Sequence, residues 1–147
     1  MKKARKVAAI GCGAVLVLLA SAIGFLGYAM FGNQPFYAVN VPQHEFAPAS
    51  ATSIEVFEDR NLSGLVTMTY VVEEEAFRKF AAEKGWPLSS GSGTIHVRQP
   101  SPNYGELRTL RGLDAYLTYE KRKPSGAGIT VFYIPSQSRA YIDKSNR

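Results

Sequence analysis

The residues of this chain able to move a proton near neutral pH are His44 and His96, and His96 has two serines close by in sequence, Ser90 and Ser92. A serine nucleophile needs a base hydrogen-bonded to it and a third group that orients the base. His96 with Ser90 or Ser92 and an aspartate would make the set of an anchored hydrolase. Those serines, however, sit in Ser89-Ser90-Gly91-Ser92-Gly93, which is ordinary loop composition, and His44 lies in a proline-punctuated stretch. The expectation is therefore a protein that binds rather than an enzyme.

Metal and cofactor chemistry find no pattern either. Zinc sites need closely spaced Cys, His or carboxylate ligands, and the acidic run Glu73-Glu74-Glu75 lacks the every-other-residue oxygens of a calcium loop. Its position suits a helix start. Gly91 and Gly93 are followed by no Lys-Ser or Lys-Thr, so a phosphate loop is not expected. Neither a cofactor nor a metal is expected.

The strongest signal lies at the N-terminus. Residues 7–31 contain no charged side chain, and Lys2, Lys3, Arg5 and Lys6 precede them, with no further Lys or Arg until Arg60. About 20 apolar residues span the roughly 30 Å hydrocarbon core of a bilayer. Basic residues are retained on the cytoplasmic side. The sequence thus predicts a basic cytoplasmic flank (1–6), a transmembrane helix (7–31) and the rest of the chain outside the cytoplasm, in a cell membrane. A cleaved leader is the rival reading, with Gly27 and Ala29 as its small-x-small pair, but the apolar run exceeds the 7–15 residues or so of a leader core. Cys12 is preceded by too short an apolar stretch for a lipidation signal, and reads as a small apolar residue of the helix. Ala9, Gly13, Ala20, Gly24 and Gly27 fall near one helical face, which would permit helix-mediated self-association.

Charge changes meaning once the flank is set aside. Of 17 Lys and Arg, four form the flank, leaving 13 against 12 Asp and Glu in residues 32–147. The exported part is close to neutral, so a nucleic-acid partner is not expected. Lys121-Arg122-Lys123, before Pro124-Ser125-Gly126, reads as a solvated hairpin end. The chain's one cysteine is Cys12, so the domain must fold by burying apolar surface and not by disulfides. The Asn61-Leu62-Ser63 sequon is taken as chance.

Periodicity then supplies the elements. Pro35, Pro42 and Pro48 predict an extended spacer over 32–53, holding off the bilayer an α+β domain that occupies 54–147. Residues 54–57 and 65–72 read as a hairpin. After Glu73-Glu74-Glu75, the stripe Phe77, Phe80, Ala81 predicts a helix closed by Lys84 and a Gly85 cap, with Trp86 folded back on its last turn. Residues 88–93 are expected as loop, 94–98 as a strand with His96 outward, and 113–121, 129–134 and 139–143 as a meander. The fold expected is two-layered: an antiparallel sheet of about five to six strands with one helix on one face.

One strand breaks the one-sided pattern. Ile129, Val131 and Tyr133 alternate with Phe132 and Ile134, so both of its faces are apolar. With Tyr116 and Tyr141, Phe132 would form an aromatic patch on the sheet face away from the helix, a candidate site for a protein partner. The alternative is a central strand whose second face is covered by loops or by the spacer. The reading that follows is a single-pass membrane-anchored extracytoplasmic interaction protein, an accessory component of a bacterial envelope. The alternatives are an inhibitor or immunity-type protein against an exported enzyme or toxin, and the anchored hydrolase.

Overall fold

The computed structural model describes residues 20–25, 27, 34–59, 64–103 and 105–146. The chain divides into two units, residues 1–34 and 35–147. In the first, residues 20–25 and 27 are helical, with Ile23 and Phe25 exposed. Among the described residues no helix is long and apolar enough to cross a membrane. Most of the expected transmembrane segment, Cys12 and the Asn61 sequon lie outside the described residues.

The described residues of the second unit form seven strands and one α-helix. They run β1 (Phe36–Val41), β2 (Thr52–Asp59), β3 (Leu65–Val71), α1 (Glu74–Glu83), β4 (Ser89–Gln99), β5 (Glu106–Arg122), β6 (Gly128–Ile134) and β7 (Arg139–Ser145), with a 3₁₀ turn at Pro135–Gln137. All pair antiparallel in one sheet of order β1-β2-β3-β7-β6-β5-β4.

Helix α1 follows its sequence signals closely. Glu74 and Glu75 occupy the first turn, where the positive end of the helix dipole favours them, and Phe77, Phe80 and Ala81 are buried. Its end is a full Schellman closure. Gly85, at φ +69°, takes the left-handed conformation, its N–H donates to Ala82 O (3.0 Å), and the Trp86 N–H reaches back to Ala81 O (2.8 Å). Trp86 therefore returns onto the helix, edge-on to Phe80 at 5.8 Å between ring centroids. Phe77 stacks on Tyr133 of β6 at 4.6 Å, an arrangement that adds about 0.5–1.5 kcal/mol beyond burial alone. Around these rings Val56, Met68, Tyr70, Val131, Ala140 and Ile142 complete the core between helix and sheet.

A second core occupies the opposite face. Ile95, Val97, Ile134 and Tyr141 are buried together, with Leu110, Leu113, Tyr116 and Phe132 packed against them. What covers this face is neither a loop nor the spacer but the β4–β5 hairpin. β5 pairs with β6 only over Leu117–Arg122, while Glu106–Thr118 pairs with β4. The first half of β5 is thus free to bend away. The β4–β5 register shifts between Gly91 and Gly93 and again between Gly93 and Ile95, and such irregularities bend a strand. The end of the hairpin folds over β3, where Gly105 lies against the side chains of Arg98 and Thr67. Both faces of β3 are buried as a result: Met68 and Tyr70 toward α1, Thr67 and Thr69 toward the hairpin.

Three expectations need correction. Residues 36–41, read as part of a spacer, form the edge strand β1, which pairs with β2 from Phe36↔Glu58 to Val41↔Ile54. The segment after it is also part of the domain. Ala47 is buried, and His44 Nε2 meets Glu58 Oε1 at 3.1 Å while the Phe46 N–H donates to His44 Nδ1 at 3.2 Å. Residues 89–93, read as loop, are the start of β4, because Ser89, Ser90 and Gly91 pair with Thr118, Leu117 and Tyr116. Ladder hydrogen bonds override the local preference of Ser and Gly. Finally, strict alternation along the strand expected over 113–121 would put Leu113 on the face of Leu117 and Tyr119, but the bulged register hands it to the second core.

Candidate functional site

Tyr116, Phe132 and Tyr141 do come together on the sheet face away from α1, one each from β5, β6 and β7. Phe132 is the partner of Thr118 on β5 and of Tyr141 on β7. Tyr116 meets Phe132 edge-on at 5.8 Å. They do not form an open patch. Tyr141 is only 6% exposed and belongs to the second core, whereas Phe132 is half-buried beneath the bent hairpin and Tyr116, also half-buried, belongs to the hairpin itself. The correction has one physical cause: a face with that much apolar surface recruited the hairpin to cover it.

A cleft of about 590 Å³ remains beside these rings, and all three line it. One wall consists of five successive residues of β4, Thr94 to Arg98. β4 is the terminal strand of the sheet order, so among the described residues one of its edges has no neighbouring strand. Opposite it stand polar side chains from the end of β5 and from β6 and β7. Arg122 Nε donates to Thr130 Oγ1 (2.7 Å), its Nη2 to Asp143 Oδ2 (2.9 Å) and Asp143 O (3.1 Å), and its Nη1 to Gly126 O (3.1 Å). Arg98 donates from Nη1 to Gly105 O (3.0 Å) and places Nε 3.8 Å from Asp143 Oδ2.

This arrangement corrects the reading of Arg122 as part of a solvated hairpin end. Its guanidinium ties the ends of three strands together, and removing one partner of such a half-buried pair would strand the other charge. Asp143 was missed altogether, and its only sequence signal is a position two residues after Tyr141 on the same strand face.

The hydrolase set is not assembled. Ser90 and Ser92 lie on the same strand as His96, six and four residues away, or roughly 20 and 13 Å along an extended chain. Hydrogen-bond reach is about 3 Å. His96 is exposed, as expected, and pairs with Thr109 Oγ1 across the ladder at 3.1 Å. His44 has both ring nitrogens engaged in holding residues 44–46 against β2. Among the described residues no group of three His, Cys, Asp or Glu side chains stands close enough to hold a metal ion.

What the cleft can do is hold an extended segment. An unpaired strand edge offers alternating backbone N–H and C=O groups to a further strand, and neighbouring side chains then select its residues. Here those neighbours are Tyr116 and Phe132, with Arg98 and Glu120 at the polar end. No protein-family model, no curated protein and no solved structure matches this chain.

Proposed function

We propose that the chain is a single-pass membrane protein, N-terminus in the cytoplasm, that displays its α+β domain on the outer side of a bacterial cell membrane and acts by binding a protein partner. The observation that carries the reading is the charge asymmetry around residues 7–31: four basic residues precede the run and none follows it until Arg60. The exposed Ile23 and Phe25 on the helical residues 20–25 suit a lipid environment. The cleft beside the β4 edge is the proposed recognition surface, taking an extended segment of the partner, with Tyr116 and Phe132 contacting its side chains.

Protease added to spheroplasts tests the topology. The domain should be digested while a tag placed before Lys2 survives, and the opposite pattern would overturn the reading. Cross-linking in native membranes tests the surface. A protein recovered with the wild type should be lost with Phe132→Ser or Tyr116→Ser and kept with an exposed control such as Glu83→Gln.

A further inference from the structure

A second cavity, of about 610 Å³, lies on the helix side of the sheet and is lined by Phe46, Trp86 and Ile129 together with Lys84, Lys121, Lys123 and Lys144. These lysines come from three separate stretches of the sequence, 84, 121–123 and 144, and the fold sets them in one place. Lys121 and Lys144 flank Ile129 in a single cross-strand row, being its register partners on β5 and β7. Lys84 comes from the C-terminal cap of α1, and Lys123 from the start of the turn after β5. Lys144 Nζ sits 4.8 Å above the centre of the Phe46 ring. Trp86 stacks on Tyr119 at 6.1 Å and closes the floor. None of the described residues lining this cavity carries a carboxylate. In a domain whose basic and acidic residues nearly balance, four ammonium groups around an apolar floor are a concentration of charge, and they raise the local density of anions.

We propose that this cavity binds a phosphoester anion whose attached organic group rests on Phe46, Trp86 and Ile129. Lysine ammonium groups hold phosphate as point charges. The aromatic floor suits the apolar part of the same molecule. Resting on the membrane-tethered reading, the natural source is the headgroup of an anionic phospholipid. In the sequence, residues 32–35 alone lie between the apolar run and β1.

Trp86 is the only tryptophan in the chain, so its emission reports on this cavity alone. The full-length protein in neutral maltoside micelles is titrated, at low salt, with short-chain phosphatidylglycerol, with phosphatidylcholine of equal chain length, and with soluble glycerol phosphate. A saturable change in Trp86 emission with phosphatidylglycerol and none with phosphatidylcholine is expected. The change should require about thirtyfold more lipid in the Lys121→Gln/Lys144→Gln variant. An equal response to glycerol phosphate would keep the phosphoester site and assign it a soluble source. No response to either net-anionic probe, phosphatidylglycerol or glycerol phosphate, or a response unchanged by the lysine substitutions, would overturn the proposal. Far-UV circular dichroism of the variant verifies that it is folded. Because micelles present both sides of the protein, failure here is separate from failure of the topology, which the protease experiment alone decides.

Discussion

The ring of Tyr116 lies across Gly91, its partner in the β4–β5 ladder, closer than a β-carbon at position 91 would allow. The aromatic side chain fills the space that glycine leaves, as in other sheets where an aromatic covers a cross-strand glycine. This contact places Tyr116 beside Phe132 and forms one wall of the β4 cleft.

Replacing Gly91 should therefore disturb the cleft without disturbing the helix side. Gly91→Val is expected to cost about 1–3 kcal/mol by overpacking and to shift the ring resonances of Tyr116 and Phe132 while those of Phe77 and Tyr133 stay in place. Two-dimensional aromatic spectra with denaturant melting check both parts.

The second core makes Tyr141 a structural residue. Tyr141→Ala should destabilise the domain by about 3–5 kcal/mol, comparable with Phe80→Ala in the first core. Phe132→Ser, at a half-buried site, should cost distinctly less. Urea midpoints of the three variants give the order; a Tyr141→Ala midpoint near wild type would remove the hairpin-covered core.

Two buried tyrosines differ in one hydrogen bond. The Tyr133 hydroxyl donates to Val72 O at 3.0 Å, whereas the Tyr70 hydroxyl is buried with no partner among the described residues. Removing a bonded group loses the bond, and removing an unsatisfied one relieves a desolvation cost. Tyr133→Phe is expected to lower stability by about 0.5–1.5 kcal/mol, and Tyr70→Phe to leave it unchanged or raise it. Thermal or urea melts decide the sign.

Alkaline pH should expose the same asymmetry. Burial holds the Tyr70 hydroxyl well above the ordinary tyrosine range and raises Tyr133 and Tyr141 as well. In the unfolded chain these groups ionise near pH 10, while the folded protein keeps the protons. The unfolded state then binds fewer protons, so stability is intact below pH 10 and falls as pH rises past it, by up to about 1.4 kcal/mol per unit for each tyrosine. Tyr70→Phe should flatten this fall. An unchanged slope between pH 10 and 11.5 would refute it.

The sequence by itself determined what depends on neighbours within a few residues. The helix, its Phe77–Phe80–Ala81 stripe and the return of Trp86 over Gly85 were legible because capping and 3.6-residue periodicity are local. So were the two faces of β6, since a strand alternates whatever lies above it. The tertiary structure decided the rest. That residues 36–41 are a strand and not a spacer depends on an edge of β2 left open for them, and that Ser89-Ser90-Gly91 are a strand depends on β5. The two apolar faces of β6 announced a second cover but not its identity, because the bend of the β4–β5 hairpin arises from a register between distant segments. For the same reason Lys121 reads in isolation as a solvated charge. Only the ladder through Ile129 sets it beside Lys144, and pairing across a sheet is a relation that no single segment encodes.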